Sequence, residues 1–303
     1  NFGFNYAIDA HRPSGSSAKP LASYGPAMDL GLITESTLVD DSPDIQLRGT
    51  YWYPRNSGSS YDGIITIWDA LVRSKNTVAA QIIDKLTPSV SFEYLTERMG
   101  FQLVEADRDY APLALGQFTY GVTVREMAQA YTSFPNDGEM TYARSYSLIT
   151  DSNGNTVLEN GMRTSHVFSV DTARCMTEML EAAAWYGTGY EVYLGYGKMP
   201  VAGKTGTAGN DYDRWFVGYT PYYIGAVWYG YSYPKSLSNL KSNPSNKLFD
   251  LVMTKLHEDV INEAKNGGEA LRSFDGNRPA EIVEVTYCKD SGKLMTDACR
   301  LDP

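Results

Sequence analysis

The chain's 303 residues allow one large domain or two small ones at about 150 residues each, and its apolar (43%) and charged (20%) fractions exclude a disordered, collagen-like or disulfide-scaffold protein. With 36 acidic against 26 basic residues the formal charge is −10, and no Lys/Arg stripe exists to neutralise a phosphate backbone, so nucleic acid is not an expected partner. No run approaches the roughly 18 apolar residues of a membrane span, and the first residues lack the basic-then-apolar layout of a signal peptide; any anchor is expected to lie outside this sequence.

From Ser16 onward, apolar residues recur at Leu21, Tyr24, Met28 and Leu32, spacings of three and four that predict a helix with one apolar face. Pro20 falls in its first turn, where a missing N–H costs no intrahelical bond. Residues 36–62 carry turn residues throughout and predict an exposed excursion with short extended pieces. A second helical region follows, with Ile67, Ala70 and Leu71 before a break at Ser74-Lys75-Asn76 and Val78, Ile82 and Ile83 after it. Residues 147–158 predict a hairpin turning at Ser152-Asn153-Gly154-Asn155. Ser169 is placed to cap a helix that buries Ala173, Met176, Leu180 and Ala183.

β-Branched and aromatic runs then occupy 201–207, 215–220 and 223–231, separated by Gly209-Asn210-Asp211 and Pro221, the pattern of antiparallel neighbours. The tyrosines between 186 and 231 read as core and sheet packing, a few near Lys204 lining a groove. Leu248, Leu251, Val252 and Leu256 predict a last amphipathic helix over that sheet. Helices first and an antiparallel group later make residues 1–270 an α+β domain, with 271–303 a small C-terminal extension. Three cysteines and three histidines, scattered, fit no metal-binding pattern. Cys288 and Cys299 flank Lys289-Asp290-Ser291-Gly292 and are placed to meet across a hairpin. Bridged, they imply an oxidising compartment; unbridged, all three thiols are buried or free.

Three short motifs stand in order: Ser16-Ser17-Ala18-Lys19, Ser74-Lys75-Asn76 and Lys204-Thr205-Gly206-Thr207. S-x-x-K recurs at 232–235 and 238–241, but the first of these contains Pro234, the second lies in a Ser/Asn/Lys-rich loop, and only Ser16 opens a helical pattern. There a spacing of three puts Ser and Lys on one face, about 5–6 Å apart at Cβ. A serine hydroxyl is a weak nucleophile until a base takes its proton, and a lysine serves if burial and a neighbouring cation lower its pKa. Lys19 is the candidate base, Lys204 that cation, and Ser74 a relay between the two lysines toward a leaving amine. Asn76 offers an amide donor and acceptor to a peptide-like substrate. Lys204, on an edge strand beside Gly203 and Gly206, lets an acyl chain lie along the backbone, with the Thr205 and Thr207 hydroxyls meeting its carboxylate. The backbone N–H groups of Ser16 and Thr207 are the candidate oxyanion hole.

In these motifs the chain resembles the transpeptidase domain of penicillin-binding proteins, of the bifunctional class A kind that carries a glycosyltransferase domain upstream. The context matches in register too: Arg12-Pro13-Ser14-Gly15 before the nucleophile, Tyr53-Pro54-Arg55-Asn56, Gly121-Val122-Thr123 and Asp213-Arg214-Trp215-Phe216-Val217-Gly218. The resemblance implies the penicillin-binding/β-lactamase-like fold, an antiparallel sheet flanked by helices with a helical subdomain. It implies a D,D-transpeptidase in which Ser16 is acylated by the D-Ala-D-Ala end of a peptidoglycan stem peptide and released by an amine acceptor. Lys19 and Ser74 would move protons, while Asn76, Lys204, Thr205, Gly206 and Thr207 bind substrate, with no cofactor or metal. β-Lactam antibiotics are the implied covalent inhibitors, and the bacterial cell surface, outside the cytoplasm, is the implied location, with a membrane anchor in the full-length protein.

Two departures stand out. Ser14 occupies a position where relatives commonly have proline, and only 15 residues precede Ser16, whereas the family fold begins with strands and a helix well upstream. The domain is therefore expected to lack its N-terminal strands here. The same motifs also serve D,D-carboxypeptidases, with water as acceptor, and serine β-lactamases. Class A β-lactamases need a deacylating glutamate in an E-x-x-L-N stretch, which Glu93-Tyr94-Leu95 approaches but does not continue. A non-catalytic β-lactam sensor or cell-wall binding module is the remaining alternative, and the intact set of Ser16, Lys19, Ser74, Asn76 and Lys204 speaks against it.

Overall fold

The stretch bearing Ser16 is continuous and helical but not a regular α-helix. In the computed structural model, which describes residues 3–194, 197, 199–209, 211–274 and 285–297, a 3₁₀ turn at Gly15–Ala18 passes through a π segment at Pro20–Tyr24 into α1 (Gly25–Asp29). Pro20 and Pro26 have no N–H to give, which interrupts the regular ladder, and such π segments often accompany functional sites. Every residue from Pro20 to Ala27 is buried, so this is a central core helix rather than one with a single apolar face.

β1 (Leu38–Asp41) pairs antiparallel with β2 (Gly63–Thr66). The excursion between them is less exposed than its turn-rich sequence suggests, since Leu47 and Asn56 are buried. α2 (Ile67–Val72) and α3 (Asn76–Leu86) bury the six apolar residues expected of them on either side of the break at Ser74. α4 (Pro88–Glu93), α5 (Tyr110–Leu115) and α6 (Val124–Tyr131) complete a helical layer, the last opened by a capping box between Thr123 and Glu126. β3 (Glu139–Thr141) pairs with β6 (Thr164–His166), and nested between them β4 (Leu148–Thr150) pairs with β5 (Thr156–Glu159), the hairpin expected at 147–158. The Ser169 hydroxyl accepts the Thr172 amide and caps α7 (Val170–Trp185), whose Ala173, Met176, Leu180 and Ala183 are fully buried.

β7 (Ala202–Ala208), β8 (Asp213–Tyr219) and β9 (Ile224–Gly230) form an antiparallel sheet in sequence order. Strand alternation divides β8: Trp215, Val217 and Tyr219 face the main core, while Phe216 turns to α8 (Pro244–Leu256), its ring 4.6 Å from that of Phe249. The inner face of α8 differs from the expected one. Leu248, Leu251, Val252 and Leu256 are 44%, 69%, 47% and 53% exposed, and Phe249 and Met253 are buried instead. Ser245 sets this rotation, because its hydroxyl donates to the Arg214 carbonyl at 2.8 Å and steps of four from it reach Phe249 and Met253. Phe249→Ala is accordingly expected to cost about 3–5 kcal/mol and Leu251→Ala within about 0.5, read as shifts of the denaturation midpoint.

α9 (Glu258–Lys265) follows α8. The tyrosines also correct the sequence reading: Tyr219 is buried, but Tyr186, Tyr190, Tyr193, Tyr223, Tyr229 and Tyr231 lie in the loop after α7 and around the edge strand β9, outside the core. In the C-terminal extension Gly292 N–H donates to Cys288 O at 2.8 Å, forming the expected turn, and the Ser36 hydroxyl donates to Gly292 O at 3.0 Å. The pairing of Cys288 with Cys299 falls outside the described residues, as Cys299 does. Among the described residues no helix is long and apolar enough to cross a membrane.

Candidate active site

The nucleophile turn is pressed against β7 by backbone alone. A Cβ on Gly15, whose φ is +58°, would stand 2.3 Å from the Thr207 carbonyl oxygen, and one on Gly206 would stand 2.2 Å from that of Ser14. Only hydrogen fits at either position. The turn is pinned further by the Trp215 indole N–H to Pro13 O at 2.9 Å and by Gly15 N–H to Gly116 O at 3.1 Å. The Ser14 hydroxyl is buried there without a hydrogen-bond partner, so the proline common at this position would forfeit nothing its side chain supplies.

Ser16 is half-buried and lines a cavity of about 810 Å³ that Ser74, Asn76, Thr205 and Thr207 line as well. The three motifs thus converge, two from helix starts and one from the edge strand β7. Lys19 and Lys204 expose no surface. The Lys19 amine donates to the Ser74 carbonyl at 2.7 Å, the Ser74 hydroxyl at 3.4 Å and Asn76 Oδ1 at 2.7 Å. These bonds would occupy all three protons of an ammonium; as a neutral amine, Lys19 gives up one bond and holds a lone pair. Burial, and then the charge of Lys204, pull its pKa well below the ordinary lysine range. Burial alone brings Lys204 down to about 7, and among the described residues its amine donates to Thr205 O at 3.4 Å.

Two expected roles change in detail. The acceptor half of the Asn76 amide is taken by Lys19, and one of its donor hydrogens goes to Arg55 O at 2.8 Å, which leaves one N–H for a ligand. Ser74 is joined to Lys19, but among the described residues no hydrogen bond joins it to Lys204. Thr205 Oγ1 is held by Thr188 Oγ1 at 2.6 Å, and Thr207 Oγ1 accepts from the Arg214 guanidinium at 3.2 Å. Sequence reasoning missed the group behind the site: Asp41, Asn56, Lys75 and Thr77, all buried and hydrogen-bonded to one another. Asn56, the end of Tyr53-Pro54-Arg55-Asn56, and Lys75, inside Ser74-Lys75-Asn76, stood in motifs without an assigned role, and Asp41 and Thr77 carried no signal. Glu93 is exposed, and the acids among the described residues lining the cavity are Asp62 and Asp211.

A family model, the penicillin binding protein transpeptidase domain, matches residues 3–253. The chain belongs to that family. Penicillin-binding protein 1A of Clostridium botulinum (strain Langeland, type F) is 33% identical over 300 residues, covering 96% of this chain and 35% of the relative. Penicillin-binding protein 4 of Bacillus subtilis is 34% identical over 241 residues, covering 80% of this chain and 38% of its own. The chain thus spans about a third of the length of these relatives. Among solved structures, penicillin-binding protein 1A of Haemophilus influenzae superposes with a TM-score of 0.79 at 23% identity, over 97% of this chain and 48% of that one. The imipenem acyl-enzyme of penicillin-binding protein A from Mycobacterium tuberculosis gives 0.68 at 18%, over 84% and 62%. The α+β fold is therefore the penicillin-binding transpeptidase fold.

Proposed function

We propose that this domain is a D,D-transpeptidase acting on peptidoglycan stem peptides outside the cytoplasm. Ser16 Oγ attacks the carbonyl of the penultimate D-Ala while its proton passes to neutral Lys19, and the oxyanion forms against the N–H groups of Ser16 and Thr207. Ser74, bonded to Lys19, returns the proton to the departing D-Ala amine as the C–N bond breaks, which leaves an acyl-enzyme on Ser16. An amine acceptor then attacks that ester and gives its proton to Lys19, which passes it to Ser16 Oγ as the ester C–O bond breaks and the new amide leaves. Lys204, Thr205 and Thr207 hold the substrate carboxylate on β7, with Gly206 keeping the strand open to it. β-Lactams enter by the same route.

The observation that carries this reading is the buried Lys19 amine, bonded to Ser74 and Asn76, which line the same cavity as Ser16; burial and the charge of Lys204 lower its pKa. The cavity's lack of a glutamate among the described residues favours transfer to an amine over drug hydrolysis. Incubation with a D-Ala-D-Ala peptide is expected to release D-Ala and build the peptide–amine product when an amine acceptor is present. Equal release with water alone would make the domain a carboxypeptidase, and no release would make it a sensor.

A further inference from the structure

Ser74 is held at φ +60°, a left-handed conformation that a serine adopts only under constraint, and the source of that constraint lies behind the turn. The next residue, Lys75, lines the same cavity, and its amine is held by two carboxylates. Its side chain is 8% exposed, and its amine meets Asp41 Oδ2 at 2.8 Å and Asp62 Oδ2 at 2.6 Å. Asp41 is wholly buried and accepts from four donors: Lys75, the Thr77 hydroxyl, Asn56 Nδ2 at 2.5 Å and the Asp62 amide at 2.9 Å. Burial pushes its carboxyl up, but those bonds outweigh it and keep the group ionised below the usual carboxylate range.

The clamp reaches the reacting groups through Asn56. Lys75, at the N-cap of α3, offers no side-chain cap, and Asn56 supplies one from the loop instead: its Oδ1 accepts the amides of Asn76 at 2.7 Å and Thr77 at 3.3 Å. Beside it the Arg55 carbonyl holds Asn76 Nδ2. Both ends of Asn76 are therefore set by residues 55 and 56, and Asn76 Oδ1 with the Ser74 carbonyl sets the Lys19 amine.

We infer that Asp41 is a positioning residue for acyl transfer, fixing the turn at 74–76, and through it the Lys19 amine, by way of Lys75 and Asn56. The inference rests on the acyl-transfer reading of Ser16. A displacement on the order of 1 Å at a base costs about 100-fold in rate, whereas the β7 groups proposed to meet the drug carboxylate, Lys204, Thr205 and Thr207, are untouched, and of the groove contacts only the one free N–H of Asn76 moves with the turn. Asp41→Asn puts an amide N–H where Asp41 accepted, against the donors of Asn56 and Thr77.

The test is penicillin acylation, resolved into the dissociation constant of the non-covalent complex and the first-order acylation constant, with circular dichroism confirming the fold. Asp41→Asn is expected to lower the acylation constant about 30- to 100-fold and leave the dissociation constant within threefold. The exchange Asp41→Asn with Asn56→Asp restores donor and acceptor along the line from 41 to the Asn76 amide, while it loses the bond from Asn56 to Ser60 O and the Thr77 hydroxyl's acceptor and leaves Lys75 facing a neutral amide oxygen, and should recover the rate to within tenfold of the parent. A lost scaffold would not be rescued by a second substitution in it. Thr77→Val, which removes one hydroxyl and no charge, should slow acylation three- to tenfold and answers the question if Asp41→Asn does not fold. A folded Asp41→Asn or Thr77→Val at the parent rate, a loss confined to drug affinity, or an exchange variant no better than Asp41→Asn overturns the inference. If the parent forms no adduct, the acyl-transfer reading itself fails, and this inference with it.

Discussion

Treatment with a penicillin is expected to add one drug mass to the peptide carrying Ser16, and Ser16→Ala to abolish the adduct altogether. In the proposed reaction the strained amide of the drug stands in for the D-Ala-D-Ala bond and its carboxylate for that of the peptide at Lys204, Thr205 and Thr207, so acylation is expected to follow the path of the peptide. The next step does not. The opened ring stays tethered where an amine would approach, and the cavity's described lining offers Asp62 and Asp211 but no glutamate to activate water. Loss of a general base costs about 10²- to 10⁴-fold, and the adduct should outlast a normal turnover by that margin. Mass spectra over hours check this; return to the unmodified mass within minutes would mean a β-lactamase.

Lys19→Ala should slow acylation by about 10²- to 10⁴-fold, and Lys19→Arg should do no better, because a guanidinium keeps its charge throughout the working range. The pH profile follows from the same burial. Lys19 acts as a base only when neutral, and its lowered pKa extends the range in which it is so; as pH falls through that pKa it gains a proton and the rate drops up to tenfold per unit. Lys204 works in the opposite sense. Titrating at about 7, it is a cation below that pH and neutral above, so attraction for an anionic substrate fades as pH rises. The specificity constant should therefore be bell-shaped, and Lys204→Ala should flatten its alkaline limb. An alkaline limb that is absent from pH 5 to 9, checked with a carboxylate-bearing donor, would remove Lys204 from this role.

Much of the site was legible because its chemistry sits in short spacings: Ser16 and Lys19 share a helical face, Ser74 and Asn76 share a break between helices, and Lys204 to Thr207 share one strand. Their convergence needed no contact prediction once three motifs stood in register. What stayed hidden was long-range and polar. Nothing local in Leu38–Asp41 tells a buried carboxylate from a surface one, and Asp41 meets its partners 15, 21, 34 and 36 residues away. The rotation of α8 was hidden for a related reason. Its sequence offers two apolar stripes, and the choice between them is made by the Ser245 hydroxyl on a strand carbonyl, a bond that hydrophobic spacing does not encode.

Where Gly15 abuts Thr207 and Gly206 abuts Ser14, the contact between the nucleophile turn and β7 is main chain on both sides. Evolution acts on side chains, and at this contact there are none to exchange: anything larger than hydrogen drives the nucleophile away from the strand that presents the substrate. Selection for an enzyme that still accepts its peptide but refuses a drug has no purchase here. Variation is channelled to positions where side chains form the cavity rim, such as Ser57, Gln117, Thr188 and Asp211, and susceptibility among close variants of this domain should differ there and not at the two glycines.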